Sequence, residues 1–297
     1  MPGLPLLDPK LDVVFKRLFA EAPDLLADLI NAVRSDEPPI VELQVLNPQI
    51  LPEDLTGKFI VLDTLARDVN GQLFNIEMQA RNHQGWPSRT VYYLARNLSR
   101  QLKPGDDYNQ LQPVIGIHLM DFDLFDDEQA FWQFELRDRR QRSVIFDRSL
   151  QLHLLELPKA DRLHSQAGGA VADWIAYLKH WQEESVMQEI ERPAIRKARQ
   201  QLQALSDDEQ ARYLAFVRER ALLNETIVMG ATEAKGKREG RSDILRQLLQ
   251  LKFGALPVAI EQRLVTASET EQVRWAERIL SVDSLEQVFA EWTARVG

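Results

Sequence analysis

The chain contains no cysteine. That excludes disulfides, cysteine-ligated zinc, iron–sulfur clusters and thiol catalysis, and it fits a reducing compartment. No stretch reaches the roughly 18 consecutive apolar residues that a membrane-spanning helix needs. The opening residues, MPGLPLLDPKLD, lack the basic-then-apolar order of a secretory signal, so a cytoplasmic protein is expected. There is no Gly-rich phosphate loop, GxSxG elbow, HExxH helix or EF-hand loop. Nucleotide hydrolysis and serine or zinc hydrolase chemistry therefore have no support. Solenoid-type repeats are absent too.

What is present is an ordinary folding composition. The 297 residues are 44% hydrophobic and 27% charged, enough for one large or two ordinary domains and unlike a disordered chain. The net charge is −9. A protein that simply coats nucleic acid is usually basic, because neutralised phosphates supply the non-specific affinity. A local basic groove on an acidic protein remains compatible with that total.

Residues 1–165 read as mixed α/β. DPKLDVVFKRLFAEAPDLLADLINAV carries apolar residues at helical spacing, with Asp8 as N-cap and Pro9 at the first helical position. Pro38-Pro39 ends this section. Strands are expected over IVELQVLN, about 58–68, 72–80, PVIGIHLMDF and SLQLHLLEL, with a helix over about 85–102. From about 168 onward strand signals nearly vanish, and a helical domain is expected over 166–297. Ser206 with Glu209 and Ser268 with Glu271 have capping-box spacing. MGATEAKGKREGRSD, with three glycines, predicts a hinge or broken helix.

The most informative stretch is VLDTLARDVNGQLFNIEMQ, residues 61–79. A two-residue Asn70-Gly71 turn would pair Val69 with Gln72 and send Asp63 and Glu77 to opposite faces. A three-residue loop is the competitor. It makes Asp68–Gly71 a type I turn, with Gly71 left-handed in a G1 bulge. Asp68 then pairs with Gln72, and Asp63 lies opposite Glu77 with Cβ atoms roughly 4.5–5.5 Å apart. Side-chain chemistry favours the longer loop: Ile60, Leu62 and Met78 then share an apolar face, while Asp63, Glu77 and Gln79 gather on the other. Opposed carboxylates repel unless something lies between them, and a hard cation removes that cost. Two solvated acids on an exposed sheet face are the bland alternative.

Asp63, thirteen residues, then Glu77-x-Gln79 resembles the PD-(D/E)XK nuclease core, whose order is α-β-β-β-α-β around a mixed sheet. The segments DPKLDVVFKRLF, FIVLDTLARDVNGQLFNIEMQ and SRTVYYLARNLSRQLKPGDDYNQLQPVIGIHLMDFDLF are similar to the recombination-promoting nuclease / putative transposase family of bacteria. The likeness covers residues 8–125 and fades toward 165. It implies an α/β restriction-endonuclease-like core followed by an all-α region. It also implies a Mg²⁺-dependent DNA endonuclease linked to recombination or mobile elements, with Mn²⁺ or Ca²⁺ as substitutes for Mg²⁺. Carried over, Asp63 and Glu77 are metal ligands, and the Met78 main-chain carbonyl is a further one. Asp63, Glu77 and Gln79 form the catalytic set. Gln79 stands where the superfamily motif usually has lysine, and an amide can orient water but cannot supply an ammonium charge. Lys58 sits on the opposite face from Asp63 and is a poor substitute.

Several other residues carry two readings. Asp12 and Lys16 are an i, i+4 surface ion pair or accessory site groups. Arg89, Tyr93, Arg96 and Arg100 share one helix face, which is either a solvated face or a phosphate-gripping stripe. RDRRQRSVIFDR and KGKREGR are solvated charge runs or parts of a DNA surface. His83 reads as incidental and His118 as a core histidine. Trp174, Trp181, Trp275 and Trp292 read as packing residues. A homodimer is plausible because cutting two strands needs two sites. A non-catalytic DNA- or protein-binding module that retains the nuclease fold is the alternative to the enzyme.

Overall fold

A computed structural model describes residues 5–47, 63–82, 85–162 and 169–290. The chain divides into two compact units, residues 1–221 and 222–297. Helices α5 (Ala170–His180) and α7 (Pro193–Asp207), which follow the change of texture at about 168, pack within the first unit. Trp174 of α5 is fully buried against Phe19, and its indole N–H donates to Asp28.

The first unit opens with α1 (Asp12–Ala20) and α2 (Pro23–Val33). Asp8 does not cap α1. It closes a preceding turn by accepting from the Lys10 N–H, and α1 begins at Asp12. Next come β1 (Leu43–Val45), β2 (Thr64–Asp68), β3 (Leu73–Gln79), α3 (Trp86–Ser99), β4 (Val114–Met120), β5 (Phe131–Arg137) and β6 (Ile145–Glu156). The expected α-β-β-β-α-β order is there, with extra elements. The sheet runs β1-β2-β3-β4-β6-β5 and is mixed, β4 lying parallel to both β3 and β6. The strand β5 was not expected. FWQFELR does not alternate cleanly, and it is recruited by antiparallel pairing with β6.

Period-two alternation assigns the two faces. Phe74, Ile76, Ile115 and Ile117 are fully buried on one, where Arg34 at the end of α2 lies over the Phe74 ring. On the other, Leu94 and Trp86 of α3 pack against Leu73, Val114, Met120 and Leu154. The apolar run VIGIHLM is buried throughout because both faces of β4 are covered.

After α4 (Leu157–Arg162), α5 and α6 (Glu184–Glu189), helix α7 runs through Ser206, whose hydroxyl donates back to Leu202. Ser206 is therefore not a cap; Asp208 is, accepting the Ala211 N–H ahead of α8 (Glu209–Phe253). The three-glycine segment does not break α8. Gly230, Gly236 and Gly240 all keep helical φ, at a propensity penalty of about 1 kcal/mol each. In the second unit, the last turns of α8, α9 (Val258–Thr266), α10 (Glu269–Ile279) and α11 (Leu285–Phe289) close a core around Leu249, Leu264, Trp275 and Val288. Ser268 and Glu271 form the expected capping box on α10. Among the described residues no helix is long and apolar enough to cross a membrane.

The β2–β3 turn is the three-residue form. Gly71 has φ +85°, its N–H donates to the Asp68 carbonyl at 3.1 Å, and Asp68 pairs back to Gln72. The Asp68 carboxylate accepts from the Asn70 and Gln72 N–H groups at 3.0 and 2.8 Å. The ladder then pairs Arg67 with Leu73 and Thr64 with Ile76. A Cβ on Gly71 would also sit 3.1 Å from the Gln112 side chain. Gly71→Ala is expected to lose about 1–2 kcal/mol of stability in urea unfolding, with Gly71→Asn losing less because asparagine tolerates the left-handed region.

His153, buried on β6, supplies a second measurable consequence. Burial and the nearby Arg34 guanidinium hold it down to about 4, against smaller opposite pulls from Asp36 and Glu135. The unfolded chain takes up this proton near pH 6.5 and the folded chain does not. The stabilising contribution is thus complete above about pH 6.5 and disappears as pH falls toward 4, amounting to about 3 kcal/mol at most. His153→Gln should flatten the urea-midpoint curve between pH 6.5 and 4 relative to wild type.

Candidate metal and catalytic centre

Continuing the β2–β3 ladder by one rung puts Asp63 across from Glu77. Asp63 precedes the first paired residue of β2, and the Asn47 side chain holds it there. The Asn47 amide donates to the Asp63 carbonyl at 3.0 Å and accepts from the Leu65 N–H at 2.7 Å. Nothing in the sequence singled out Asn47; a lone asparagine after a strand is usually a loop residue.

The two carboxylates are surrounded by donors. Asp63 Oδ2 accepts from the Asn75 amide. Glu77 Oε1 accepts from the Gln79 amide and lies 3.5 Å from Arg89 Nη2. Glu77 Oε2 lies 3.0 Å from His118 Nδ1. Asn75, Glu77 and Gln79 share the α3-facing side of β3, and His118 pairs directly with Glu77 across the parallel β3–β4 rungs. Glu77 is 6% exposed, so it is a buried acid and not one of two solvated surface charges.

The two acids are held in opposite directions. Burial raises the Asp63 carboxyl above its usual range, and the neighbouring Glu77 charge adds to that; Lys16 and the Asn75 amide only partly oppose it. Burial also pushes Glu77 upward, but His118, Arg89 and Gln79 outweigh it, and Glu77 ends below the ordinary glutamate value. The environments of the two paired carboxylates thus push their titrations apart.

Lys16 on α1 is 4% exposed, and its charge falls on Asp63. It is therefore no surface residue. Asp12 has a different position: Arg218 of α8 grips it bidentately, Nε and Nη2 lying 2.8 and 2.6 Å from Oδ2. Asp12 thus anchors α8 to α1 within the first unit. Met78 turns its side chain into the opposite, apolar face, which leaves only its main-chain carbonyl for the site. The α3 stripe divides as well. Arg89 reaches Glu77, while Tyr93 and Arg96 point into solvent and Arg100 lies one residue past the helix. The basic run at 137–148 spans the end of β5, the β5–β6 turn and the start of β6, with Arg137 and Arg148 against Glu135. In α8, Lys237 pairs with Glu233 and Arg241 with Glu269. Lys58, His83 and Trp292 lie outside the described residues.

Among the described residues no group of three His, Cys, Asp or Glu side chains forms a metal cage. Two hard carboxylates nonetheless fit what Mg²⁺ takes from a protein, which is one or two carboxylates with water and phosphate filling the remaining positions. Burial and the Glu77 charge both disfavour the charged form of Asp63, and a cation between the acids would offset the second. In the metal-free protein, Glu77→Gln is expected to bring the Asp63 titration down and Lys16→Met to move it further up, both followed by carboxyl ¹³C NMR. An Asp63 titration unmoved in both variants would mean that the three groups do not share a site.

A sequence model described as PD-(D/E)XK nuclease family transposase matches residues 9–231. No curated protein matches the chain, and no solved structure does.

Proposed function

The chain belongs to the PD-(D/E)XK nuclease family transposases, and from that premise we propose that its first unit is a divalent-metal-dependent DNA endonuclease acting in recombination or the movement of mobile elements. The observation carrying this reading is the opposed pair Asp63 and Glu77, on one sheet face, with a buried ammonium beside it. Asp63, Glu77 and the Met78 carbonyl would hold Mg²⁺, for which Mn²⁺ would substitute. A bound divalent ion supplies Lewis acidity toward the scissile phosphate and a water of lowered pKa.

The chain's own side chains account for the rest. Water oxygen attacks phosphorus, the P–O bond to the leaving sugar oxygen breaks, and that oxygen ends protonated. Gln79 orients the attacking water through its amide oxygen, once the amide turns away from Glu77. Lys16 supplies, from α1, the positive charge that residue 79 lacks, stabilising the crowded charge on phosphorus. Arg89 is partly exposed and only 3.5 Å from Glu77 Oε1, so a phosphate oxygen can take over its guanidinium. Arg96 and Arg100 follow along the solvent side of the same segment and extend the phosphate grip, which gives an acidic protein a local basic track. Double-strand cutting would call for two copies, and the cytoplasm is the compartment this chemistry fits.

Plasmid relaxation tests the reading. Wild type with Mg²⁺ should nick supercoiled DNA, EDTA should stop it, and Asp63→Asn and Glu77→Gln should each lose on the order of 10²–10³-fold, the equivalent of several kcal/mol of transition-state stabilisation. Lys16→Met should lose rate while retaining DNA binding. Equal cleavage by all variants would remove the assignment. DNA retention without any cleavage would instead identify a binding module that keeps the fold.

A further inference from the structure

His118 stands directly across from Glu77 in the β3–β4 pairing, and its Nδ1 is 3.0 Å from Glu77 Oε2. The ring is 1% exposed. Trp86 of α3 meets it edge-on at 5.3 Å. Gly116, two residues earlier on the same face, leaves the space the ring uses: a Cβ there would come within 3.1 Å of His118 Nε2 and 2.9 Å of a Leu152 methyl. Nε2 has no hydrogen-bond partner and Nδ1 faces Glu77 Oε2 alone, so burying this ring carries a polar penalty. A leucine would fill the same volume without that penalty, so packing does not account for an imidazole at this position.

The two oxygens of Glu77 are held differently. Oε1 is held by Gln79 and Arg89, both of which reach solvent and can withdraw. Oε2 faces His118, which is enclosed by Trp86, Gly116 and Glu77 and has nowhere to go. Resting on the assignment of Asp63 and Glu77 as cation ligands, we propose that His118 is a positioning residue: it engages Oε2 and presents Oε1 of Glu77 to the cation. Its role parallels groups behind metal ligands that fix their orientation and whose loss typically weakens metal binding 10–100-fold. The downward hold on Glu77, in which His118 is the leading opponent of burial, agrees with this contact.

The experiment is Mn²⁺ titration by calorimetry on the full chain, alongside carboxyl ¹³C titration of Glu77, for wild type, Asp63→Ala, His118→Leu and His118→Asn. His118→Leu preserves bulk; in His118→Asn the side-chain amide takes the place of Nδ1–H. The expected result is a Mn²⁺ dissociation constant about 10–100-fold weaker in His118→Leu, largely recovered in His118→Asn, with Glu77 titrating at higher pH in the leucine variant. A wild type that binds Mn²⁺, loses it in Asp63→Ala and retains full affinity in a folded His118→Leu overturns this proposal alone. A wild type that takes up no Mn²⁺ overturns it together with the assignment of the ligands.

Discussion

Everything at the candidate centre depends on the turn at Asp68–Gly71. Strand side chains alternate with a period of two, so one residue more or less in the loop exchanges the two faces of β3 relative to β2. The left-handed Gly71 and the Asp68 carboxylate, which caps two backbone N–H groups, select the odd-length loop. From that choice follow the rung joining Asp63 to Glu77, the apolar character of the Ile76 and Met78 face, and the proximity of Asn75 and Gln79 to the acids.

Bringing two carboxylates together inside a protein creates an electrostatic problem, and the surrounding residues answer it unequally. Glu77 receives an imidazole, a guanidinium and an amide, and stays an anion despite burial. Asp63 receives one amide and the field of Lys16, and is left with part of the repulsion. The asymmetry follows from the partners: the donors around Glu77 favour its charged form, while burial and the Glu77 charge disfavour that of Asp63. Position 79 carries an amide, and the positive charge acting on Asp63 comes instead from Lys16 of α1. The requirement is positive charge near the acids, and the fold can meet it from any element that passes close by.

Long stretches of the fold were legible in the chain because their signals are local. The helical spacing in α1 and α2, the apolar run of β4 and the Ser268–Glu271 capping box depend on neighbours within about one or two turns. The failures were also local readings, overridden by context. FWQFELR became a strand because β6 offered it an edge. The three-glycine segment stayed helical through its penalty. Ser206 was absorbed into α7 when Asp208 took over the capping.

The centre itself divides along the same line. Asp63, Glu77 and Gln79 could be named from the sequence, because a hairpin is a short-range object whose register can be argued from turn chemistry and alternation. The family model matches residues 9–231, well beyond the hairpin. By sequence Lys16 is open between a surface ion pair and an accessory site group, Asn47 draws no notice, and His118 reads as a core histidine. They come from α1, the end of the first strand segment and β4, and 16 to 47 residues separate each from the nearest of the two acids. Only the closing of the sheet and the docking of α1 bring them beside the carboxylates. Charge and hydrogen bonding act across a few ångströms of space, whatever the distance along the chain, so the tertiary structure alone decided which groups hold the two acids in place.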